Sequence, residues 1–573
     1  MTARSVYEKK PWLSSYPAGV TSEVEIPGLS LSESFDQVVK EFRKKTAVYF
    51  YGKKMSYQAL GEKIDRLANA LSHIGLQKGD RCAILLLNSP EYIISFFALA
   101  KLGAVIVPVN PVYASSEIKY QLEDSGAESI ICLDVLYESV KKTGLKLRHI
   151  ILASVGDSLP PVKKLLGKSV LRNVYQNMAV PRIHISPQEG LYMLGNLLKQ
   201  YPPEPPKVKI DPKEDVLTLH YTGGTTGQPK GVMLTHHNTL AGQIQFRTFY
   251  QSFCGKGTEV LMGYLPFCHQ GGQCHALLRS TLLGNCLVVI TKPEIDDILN
   301  FMVTCRATSF VGSPSIFEIL KDYKKTARVN WKRLKAVLAG GDVLSEYTQK
   351  NWEARTGMRL IDLWGMTECS DLNIGNPLEK MKTGSIGIPF PNVKAAILDP
   401  DQNEFLPLGE LGELAISSPS VTSKGYWGKP DATKECESYI EGTRWWRTGD
   451  LAKMDEEGYF FIYDRKRDLI KHEGLRVYAR EVEEVLKMHP KIKEVGVVGV
   501  KDPRVGENVK AFVVLESDAR GQLSEEDVVN CCQGKLEAYK IPQIVEFVGE
   551  IPKTDMGKVS RRDIREMAEV GNG

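Results

Sequence analysis

A strand–helix–strand pattern between residues 82 and 109 sets narrow limits on how this chain can fold. The apolar segment Cys82–Leu87 predicts a buried strand. A helix then begins, with Ser89 as its N-cap and Pro90 at its first position, and Gly103 ends it. Ala104–Val109 returns as a second apolar strand. Strands joined in this way run parallel, in a sheet covered by helices on both faces.

Other segments extend the same pattern. Ser56–Ile74 has helical spacing of its apolar residues, and Gly75 stands where a helix-ending glycine is expected. Ile130–Leu133 and Ile150–Ala153 are further candidate strands. The sequence therefore predicts an α/β fold with mainly parallel sheets. A length of 573 residues is too great for one compact core, so at least two domains are expected.

A domain boundary is predicted at a run of five charges, residues 464–468, which follows the apolar segment Tyr459–Tyr463. This run suggests an exposed hinge. We expect a large N-terminal domain of several subdomains, residues 1–463, and a small mobile α+β domain, residues 464–573. The small domain contains one predicted helix and two predicted strands: Arg480–Met488, Glu494–Val500 and Val509–Leu515.

Charge and cysteine content exclude some classes of function. The chain has 73 basic and 69 acidic residues, and this small net charge argues against nucleic acid as the main partner. Eleven cysteines without a C-x-x-C pair fit reduced thiols in the cytoplasm. Met1–Trp12 has no apolar segment of a secretory signal. Tyr92–Val109 is interrupted by Lys101, Gly103 and Pro108, so it predicts a buried helix and strand rather than a membrane span.

One segment leaves two interpretations open. Pro161–Asn173 alternates basic and apolar residues, which is typical of an amphipathic helix at a membrane surface. A solvated surface helix explains the same pattern. The first reading predicts a cytoplasmic protein that makes peripheral contact with a membrane. The oligomeric state is not visible in the sequence, and a homodimer is one option.

The strongest chemical signal is a glycine- and threonine-rich loop at residues 221–231, between two apolar segments. Its glycines let the backbone approach an anion and point successive N–H groups at it, its threonines add hydroxyl donors, and Lys230 adds a positive charge. It is not a Walker loop, because Pro229 precedes the lysine and Gly231 follows it. The alternative is a glycine- and threonine-rich turn that binds no phosphate. The phosphate-competent residues are Thr222, Gly223, Gly224, Thr225, Thr226, Gly227 and Lys230.

This loop resembles that of the adenylate-forming superfamily, which includes acyl-CoA synthetases, firefly-type luciferases and nonribosomal peptide adenylation domains. Six further segments resemble the family's motifs in the correct order, so the resemblance covers nearly the whole chain, from about Tyr16 to Arg562.

The resemblance implies the nucleotide and acyl sites. His269, in Leu265–Gly272, would lie beside the acyl group, and Gly340, Gly341 and Asp342 would form a turn against adenine. In Leu363–Glu368, Trp364 stands where the family has tyrosine and would stack on adenine, next to Gly365 and Met366. Thr367 would hydrogen-bond the α-phosphate. Glu368, with Thr225, would bind Mg²⁺, a hard ion that prefers oxygen ligands. Asp450, in Thr448–Asp450, would accept hydrogen bonds from the ribose hydroxyls.

The resemblance also implies a two-state C-terminal domain. Arg465 would reach ribose or phosphate, and Arg467 stands at the family's pivot position. Lys471 ends the hinge segment, Asp464–Lys471, and is expected among the cofactor-binding residues. Gly474 and Arg476, in Glu473–Arg476, would belong to the loop that closes over CoA. Lys558, in Pro552–Lys558, matches the catalytic lysine.

The implied reaction joins an acid to AMP with release of pyrophosphate and then passes the acyl group to CoA, using ATP, Mg²⁺ and CoA. Lys558, Lys230, Glu368 and His269 are the expected catalytic residues. Trp12–Val20 and Trp445–Asp468 resemble fatty acyl-CoA synthetases, so a medium- or long-chain fatty acid is the first choice. Another acid, a ligase that loads a carrier protein, a luciferase-like oxygenase and a nucleotide sensor without catalysis remain as alternatives.

Overall fold

The fold is seen in a computed structural model that describes residues 3–159, 185–222, 228–342, 344–370, 372–519, 521–553 and 559–570. Three predicted features lie outside the described residues: the basic segment 161–173, residues 223–227 of the phosphate loop, and Lys558. The strands of the described part form five sheets.

A seven-stranded sheet contains the predicted strand–helix–strand unit. Its strands are parallel except for the last pair, which is antiparallel. In spatial order they are Leu191–Met193, His149–Ala153, Ser129–Leu133, Arg81–Leu85, Val105–Pro108, Val216–Thr222 and Lys230–Thr235. The prediction of a mainly parallel sheet from this region is confirmed.

The helix of this unit, Pro90–Leu102, begins and ends where its sequence predicts. The Ser89 hydroxyl accepts a hydrogen bond from the Tyr92 amide (3.2 Å), and Gly103 adopts φ 67° at the C-cap. The helix is apolar on nearly all sides and almost entirely buried, as such a composition requires. Phe97 stacks on Phe35, with ring centroids 4.2 Å apart.

Two further sheets are mixed and one is antiparallel. The four-stranded sheet has the order Val260–Gly263, Cys286–Val289, Thr46–Phe50 and Lys53–Ser56. The first five-stranded sheet has the order Ser309–Gly312, Ala336–Gly340, Ile361–Gly365, Leu372–Gly375 and Ile388–Pro389, the first three parallel. The antiparallel sheet contains Lys394–Leu398, Gly412–Ser417, Glu437–Ile440, Thr443–Met454 and Phe460–Arg465.

The last sheet belongs to the C-terminal part. Its strands are Ile470–His472, Leu475–Val477, Ile492–Asp502, Gly506–Leu515 and Ile544–Phe547. Two apolar clusters, made of residues between Ile470 and Ala568, form the core around it. A small α+β unit after a large α/β region is therefore present, as predicted.

Helices cover the sheets. The longer ones are Leu31–Glu41, Tyr57–His73, Pro90–Leu102, Ser115–Ser125, His236–Phe249, Ile295–Thr304, Pro314–Asp322, Glu346–Thr356, Ala479–Lys487 and Arg561–Val570. Shorter ones are Ala3–Lys9, Tyr137–Lys141, Leu194–Gln200, Pro430–Glu435 and Glu525–Asn530. In the described ranges, no helix is long and apolar enough to cross a membrane.

The prediction that the whole run 464–468 is exposed is wrong at its two ends. Asp464 is 3% exposed and Asp468 is 6% exposed. Both carboxylates are buried because Arg561 comes to them from the last helix, at 3.2 and 3.4 Å, and Arg565 pairs with Asp468 at 2.5 Å. Buried charges require such partners. Only the three basic residues between the two aspartates face solvent.

Candidate active site

The two ends of the predicted phosphate loop are held together by an antiparallel pair of strands. Thr222 ends the strand Val216–Thr222, Lys230 begins the strand Lys230–Thr235, and the two residues lie opposite each other in register. Lys230 therefore stands next to the segment, residues 223–227, that was predicted to hold phosphate.

Tyr426, which the sequence analysis did not identify, joins Lys230 to Glu368. The Lys230 Nζ lies 4.7 Å from the centroid of the Tyr426 ring, within cation–π range. The Tyr426 hydroxyl donates a hydrogen bond to Glu368 Oε1 (2.7 Å), and both side chains are only 6% exposed. Burial and the charge of Glu368 raise the pKa of Tyr426, so its hydroxyl remains a proton donor. The predicted phosphate lysine and metal carboxylate thus share one neighbour.

Backbone hydrogen bonds fix this arrangement. Two of these bonds join the residues on either side of Tyr426 to the phosphate hairpin. The Met233 amide donates to the Gly425 carbonyl (2.9 Å), and the Trp427 amide donates to the Gly231 carbonyl (2.8 Å). The Thr422 amide donates to the Glu368 carbonyl (2.7 Å). One segment is therefore bonded both to the phosphate hairpin and to the turn that carries Glu368.

The position of Glu368 suits a hard cation. It lies in a short 3₁₀ turn, Thr367–Cys369, directly after the strand Ile361–Gly365. A carboxylate oxygen is the ligand type that Mg²⁺ prefers, and the Tyr426 hydroxyl restrains this carboxylate from one side. In the described part of the chain, no group of three or more histidine, cysteine or acidic side chains could hold a metal by itself.

A second cluster forms the predicted nucleotide side. The Trp364 indole Nε1 donates to Asp450 Oδ2 (2.9 Å), and the Arg465 Nε lies 2.6 Å from Asp450 Oδ1. Asp450 and Arg465 are register partners on neighbouring antiparallel strands. The Asp450 charge, with a smaller contribution from Glu368, raises the pKa of Arg465. Trp364, Asp450 and Arg465 are therefore brought together.

The predicted adenine turn lies beside this cluster. Gly340 pairs with Leu363 across two parallel strands, which places the turn at the same sheet edge as Trp364. A Cβ at Gly340 would lie 3.2 Å from the Leu363 carbonyl oxygen, tighter than ordinary contact, and Gly341 has φ 89°. Asp342 follows and adds to the negative field around Arg465.

The predicted acyl side contains His269, His220 and His275. The His269 Nδ1 accepts the Gly271 amide (3.2 Å) at the start of a short helix, which continues into a π-helix, Gln273–Leu278. Such π turns occur often at functional sites. His220 bonds Gln273 (3.2 Å), and burial lowers the pKa of His220 to about 3. His220 is therefore neutral near pH 7.

The remaining predicted residues lie elsewhere. Lys471, Gly474 and Arg476 belong to a hairpin whose turn uses φ 77° at Gly474. Among the described residues, this hairpin contacts Asp401, which is 3.7 Å from the Arg476 guanidinium, and Glu507, which accepts the Lys471 amide (2.7 Å). The structure does not place these three beside Glu368.

Arg467, the predicted pivot, and the residues between Trp364 and Glu368 complete the predicted set. Arg467 is exposed, and its carbonyl accepts a weak hydrogen bond from Arg565 (3.4 Å). Gly365, Met366 and Thr367 lead from the Trp364 strand into the Glu368 turn.

Family models and curated relatives match most of this chain. The family model described as AMP-binding enzyme matches residues 35–427, and that of the AMP-binding enzyme C-terminal domain matches residues 481–558. A long-chain-fatty-acid–CoA ligase of Bacillus subtilis (strain 168) is 36% identical over 562 residues, covering 97% of this chain and 98% of the relative. The corresponding ligase of Escherichia coli O157:H7 is 35% identical over 566 residues, covering 98% of each chain.

A solved structure is similar to this chain along almost the full length of both proteins. ATP-bound MatB from Rhodopseudomonas palustris superposes on this chain with a TM-score of 0.81 at 26% identity, covering 94% of this chain and 99% of MatB.

Proposed function

Because this chain belongs to the AMP-binding enzyme family and is an AMP-forming acid–CoA ligase, we propose that it activates a long-chain fatty acid. The observation that carries the chemistry is the Lys230–Tyr426–Glu368 arrangement, which gathers a cation and a carboxylate at the mouth of the phosphate loop. The choice of acid is supported by the two bacterial relatives, which align with nearly the whole chain.

The reaction has two steps. A carboxylate oxygen of the acid attacks the α-phosphorus of ATP, the bond to the bridging oxygen breaks, and pyrophosphate leaves. The sulfur of CoA then attacks the acyl carbon, the bond from that carbon to the phosphate oxygen breaks, and AMP leaves. The first step brings two anions together, so the enzyme must supply positive charge that is already in place.

The phosphate side would meet this need with groups of this chain. Lys230 and the backbone N–H groups of residues 223–227 would hold the β- and γ-phosphates, and Thr367 would contact the α-phosphate. Glu368 and Thr225 would hold Mg²⁺, which supplies positive charge to the phosphate oxygens when it is bound. Lys558 would bridge the acid and the α-phosphate in the first step.

The nucleoside side would bind in a different way. The Gly340–Gly341 turn would leave room for a flat ring against Trp364. Asp450 would accept hydrogen bonds from the ribose hydroxyls, and Arg465, which pairs with Asp450, would reach ribose or phosphate. His269 would border the acyl group.

The C-terminal part would serve both steps. We take residues 464–573 as a domain that turns about Arg467, which removes Lys558 from the site and brings the Gly474 hairpin toward CoA. Two apolar clusters of its own support this division. Asp464 lies before the pivot and Arg561 after it, so their 3.2 Å ion pair would break in the rotation.

The test is a panel of carboxylic acids of increasing chain length, with ATP and Mg²⁺. Acid-dependent pyrophosphate release measures the first step, and CoA thioester and AMP measure the second. We expect kcat/KM to be highest for long-chain fatty acids. ADP as the product would overturn the mechanism, and a preference for aryl or short acids would overturn the choice of substrate.

The acceptor is tested in the same assay. Free CoA should accept the acyl group, whereas an enzyme that loads a carrier protein would release acyl-AMP or require a protein-bound thiol.

A further inference from the structure

We infer that Trp364 is a positioning residue for ribose recognition. Its indole N–H holds the Asp450 carboxylate in the orientation in which it accepts hydrogen bonds from the ribose hydroxyls of ATP. The inference rests on the proposed function. It gives Trp364 a second task besides the contact with adenine that the family resemblance implies.

The contact is a buried bond between distant segments. The Trp364 Nε1 donates to Asp450 Oδ2 at 2.9 Å, and the two side chains are 8% and 4% exposed. Trp364 lies on the strand Ile361–Gly365, and Asp450 lies on the strand Thr443–Met454 of another sheet. A hydrogen bond to a carboxylate is strengthened where water is excluded.

The Asp450 carboxylate is held from two sides and can still accept further hydrogen bonds. Arg465 approaches Oδ1 (2.6 Å) while Trp364 bonds Oδ2, so both oxygens are oriented. Each carboxylate oxygen accepts about two hydrogen bonds, so each can take one more donor. Two neighbouring ribose hydroxyls offer two donors with a matching spacing.

The identity of the side chain matters because of where its donor lies. The indole N–H is on the edge of the ring, so donation to Asp450 leaves the ring faces for a flat base. Phenylalanine keeps an aromatic face but has no donor. Tyrosine carries its donor at the far end of the ring, so it cannot place that donor at the position of Nε1.

The experiment compares nucleotides that lack one hydroxyl. Pyrophosphate release is measured with ATP, 2′-deoxy-ATP and 3′-deoxy-ATP for the wild type, Trp364→Phe and Trp364→Tyr. We expect Trp364→Phe to lower kcat/KM for ATP about tenfold or more, the effect of losing a hydrogen bond to a charged group. The loss should be much smaller with the analogue that lacks the hydroxyl bound to Asp450 Oδ2, the oxygen that Trp364 holds, so discrimination between ATP and that analogue shrinks. Trp364→Tyr should behave like Trp364→Phe.

A matched variant separates positioning from packing. Trp445 is also buried, and its indole N–H has no hydrogen-bond partner among the described residues, so Trp445→Phe should leave the discrimination unchanged. In an Asp450→Asn background, Trp364→Phe should add little.

Two results would overturn the positioning role. One is an equal loss with ATP and with both deoxy analogues, and the other is full additivity of Trp364→Phe with Asp450→Asn. Failure of the proposed function would look different, because the wild type would then release no pyrophosphate in response to any acid.

Discussion

Removing the Tyr426 hydroxyl should slow adenylate formation without unfolding the site. Tyr426→Phe deletes the donor to Glu368 Oε1 (2.7 Å) and leaves the ring beneath the Lys230 ammonium, which lies 4.7 Å from its centroid. The variant therefore tests one hydrogen bond and preserves the cation–π contact.

The size of the effect follows from the nature of this bond. A hydrogen bond to an ionised group contributes about 1.5–3 kcal/mol, and the buried carboxylate would lose that donor. If the loss falls on the transition state, kcat/KM for ATP should drop about 10- to 150-fold. Tyr426→Leu, which also removes the ring below Lys230, should lose more.

The assay separates the two half-reactions. Acid-dependent pyrophosphate release is measured over a range of Mg²⁺ and ATP concentrations, and thioester formation is measured from supplied acyl-adenylate. Titration calorimetry of Mg²⁺–ATP gives a readout that does not depend on turnover. Tyr426→Phe should weaken nucleotide binding and pyrophosphate release, and it should leave thioester formation nearly unchanged.

A surface tyrosine with the same chemistry supplies the control. The Tyr439 hydroxyl lies 3.5 Å from Glu437 Oε2, and Tyr439 is 62% exposed, so Tyr439→Phe should have no effect. The reasoning is refuted if Tyr426→Phe matches wild-type rates, or if its loss is the same in a Glu368→Gln background. The second result would show that Tyr426 does not act through Glu368.

Three further predictions follow from other parts of the molecule. Lys558→Ala should block adenylate formation and spare thioester formation from supplied acyl-adenylate, whereas Arg467→Pro should do the reverse. Burial raises the pKa of Glu91 from 4.5 to about 7. Between these two pH values the folded state keeps a proton that the unfolded state loses. The unfolding free energy should therefore fall by about 3 kcal/mol as pH rises from 4.5 to about 7. Glu91→Gln should remove this pH dependence in urea titrations. Gly387→Ala should destabilise the fold by more than about 4 kcal/mol, because Gly387 has φ 97° and a Cβ there would lie 2.0 Å from a backbone carbonyl carbon. Gly428 has φ 63° and open space around it, so Gly428→Ala should cost only about 1–2 kcal/mol.

Each of these predictions has a result that contradicts it. Equal losses in both half-reactions for Lys558→Ala would exclude the two-state use of the C-terminal domain. An unchanged pH slope in Glu91→Gln would assign the slope to other groups, and equal stabilities of the two glycine variants would refute the close approach at Gly387.

Local signals in the sequence determined much of the fold. The bounds of the helix Pro90–Leu102 follow from Ser89 and Gly103. The helix Tyr57–His73 follows from its apolar spacing, and Gly75 lies just beyond its end. Caps, turns and periodicity act within a few residues, so the sequence reveals them without knowledge of the fold. The order of the motifs along the chain also indicated the family.

The tertiary structure alone decided which side chains complete the site. Tyr426 reaches Glu368 across 58 residues, Trp364 reaches Asp450 across 86, and Arg561 reaches Asp464 across 97. Nothing near Tyr426 in the sequence marks it as a partner of Glu368. Asp464 and Asp468 also looked solvent-exposed in the sequence, because their arginine partners come from the distant last helix. Hydrogen bonds and ion pairs of this kind depend on how sheets and helices pack, which no short stretch of sequence specifies.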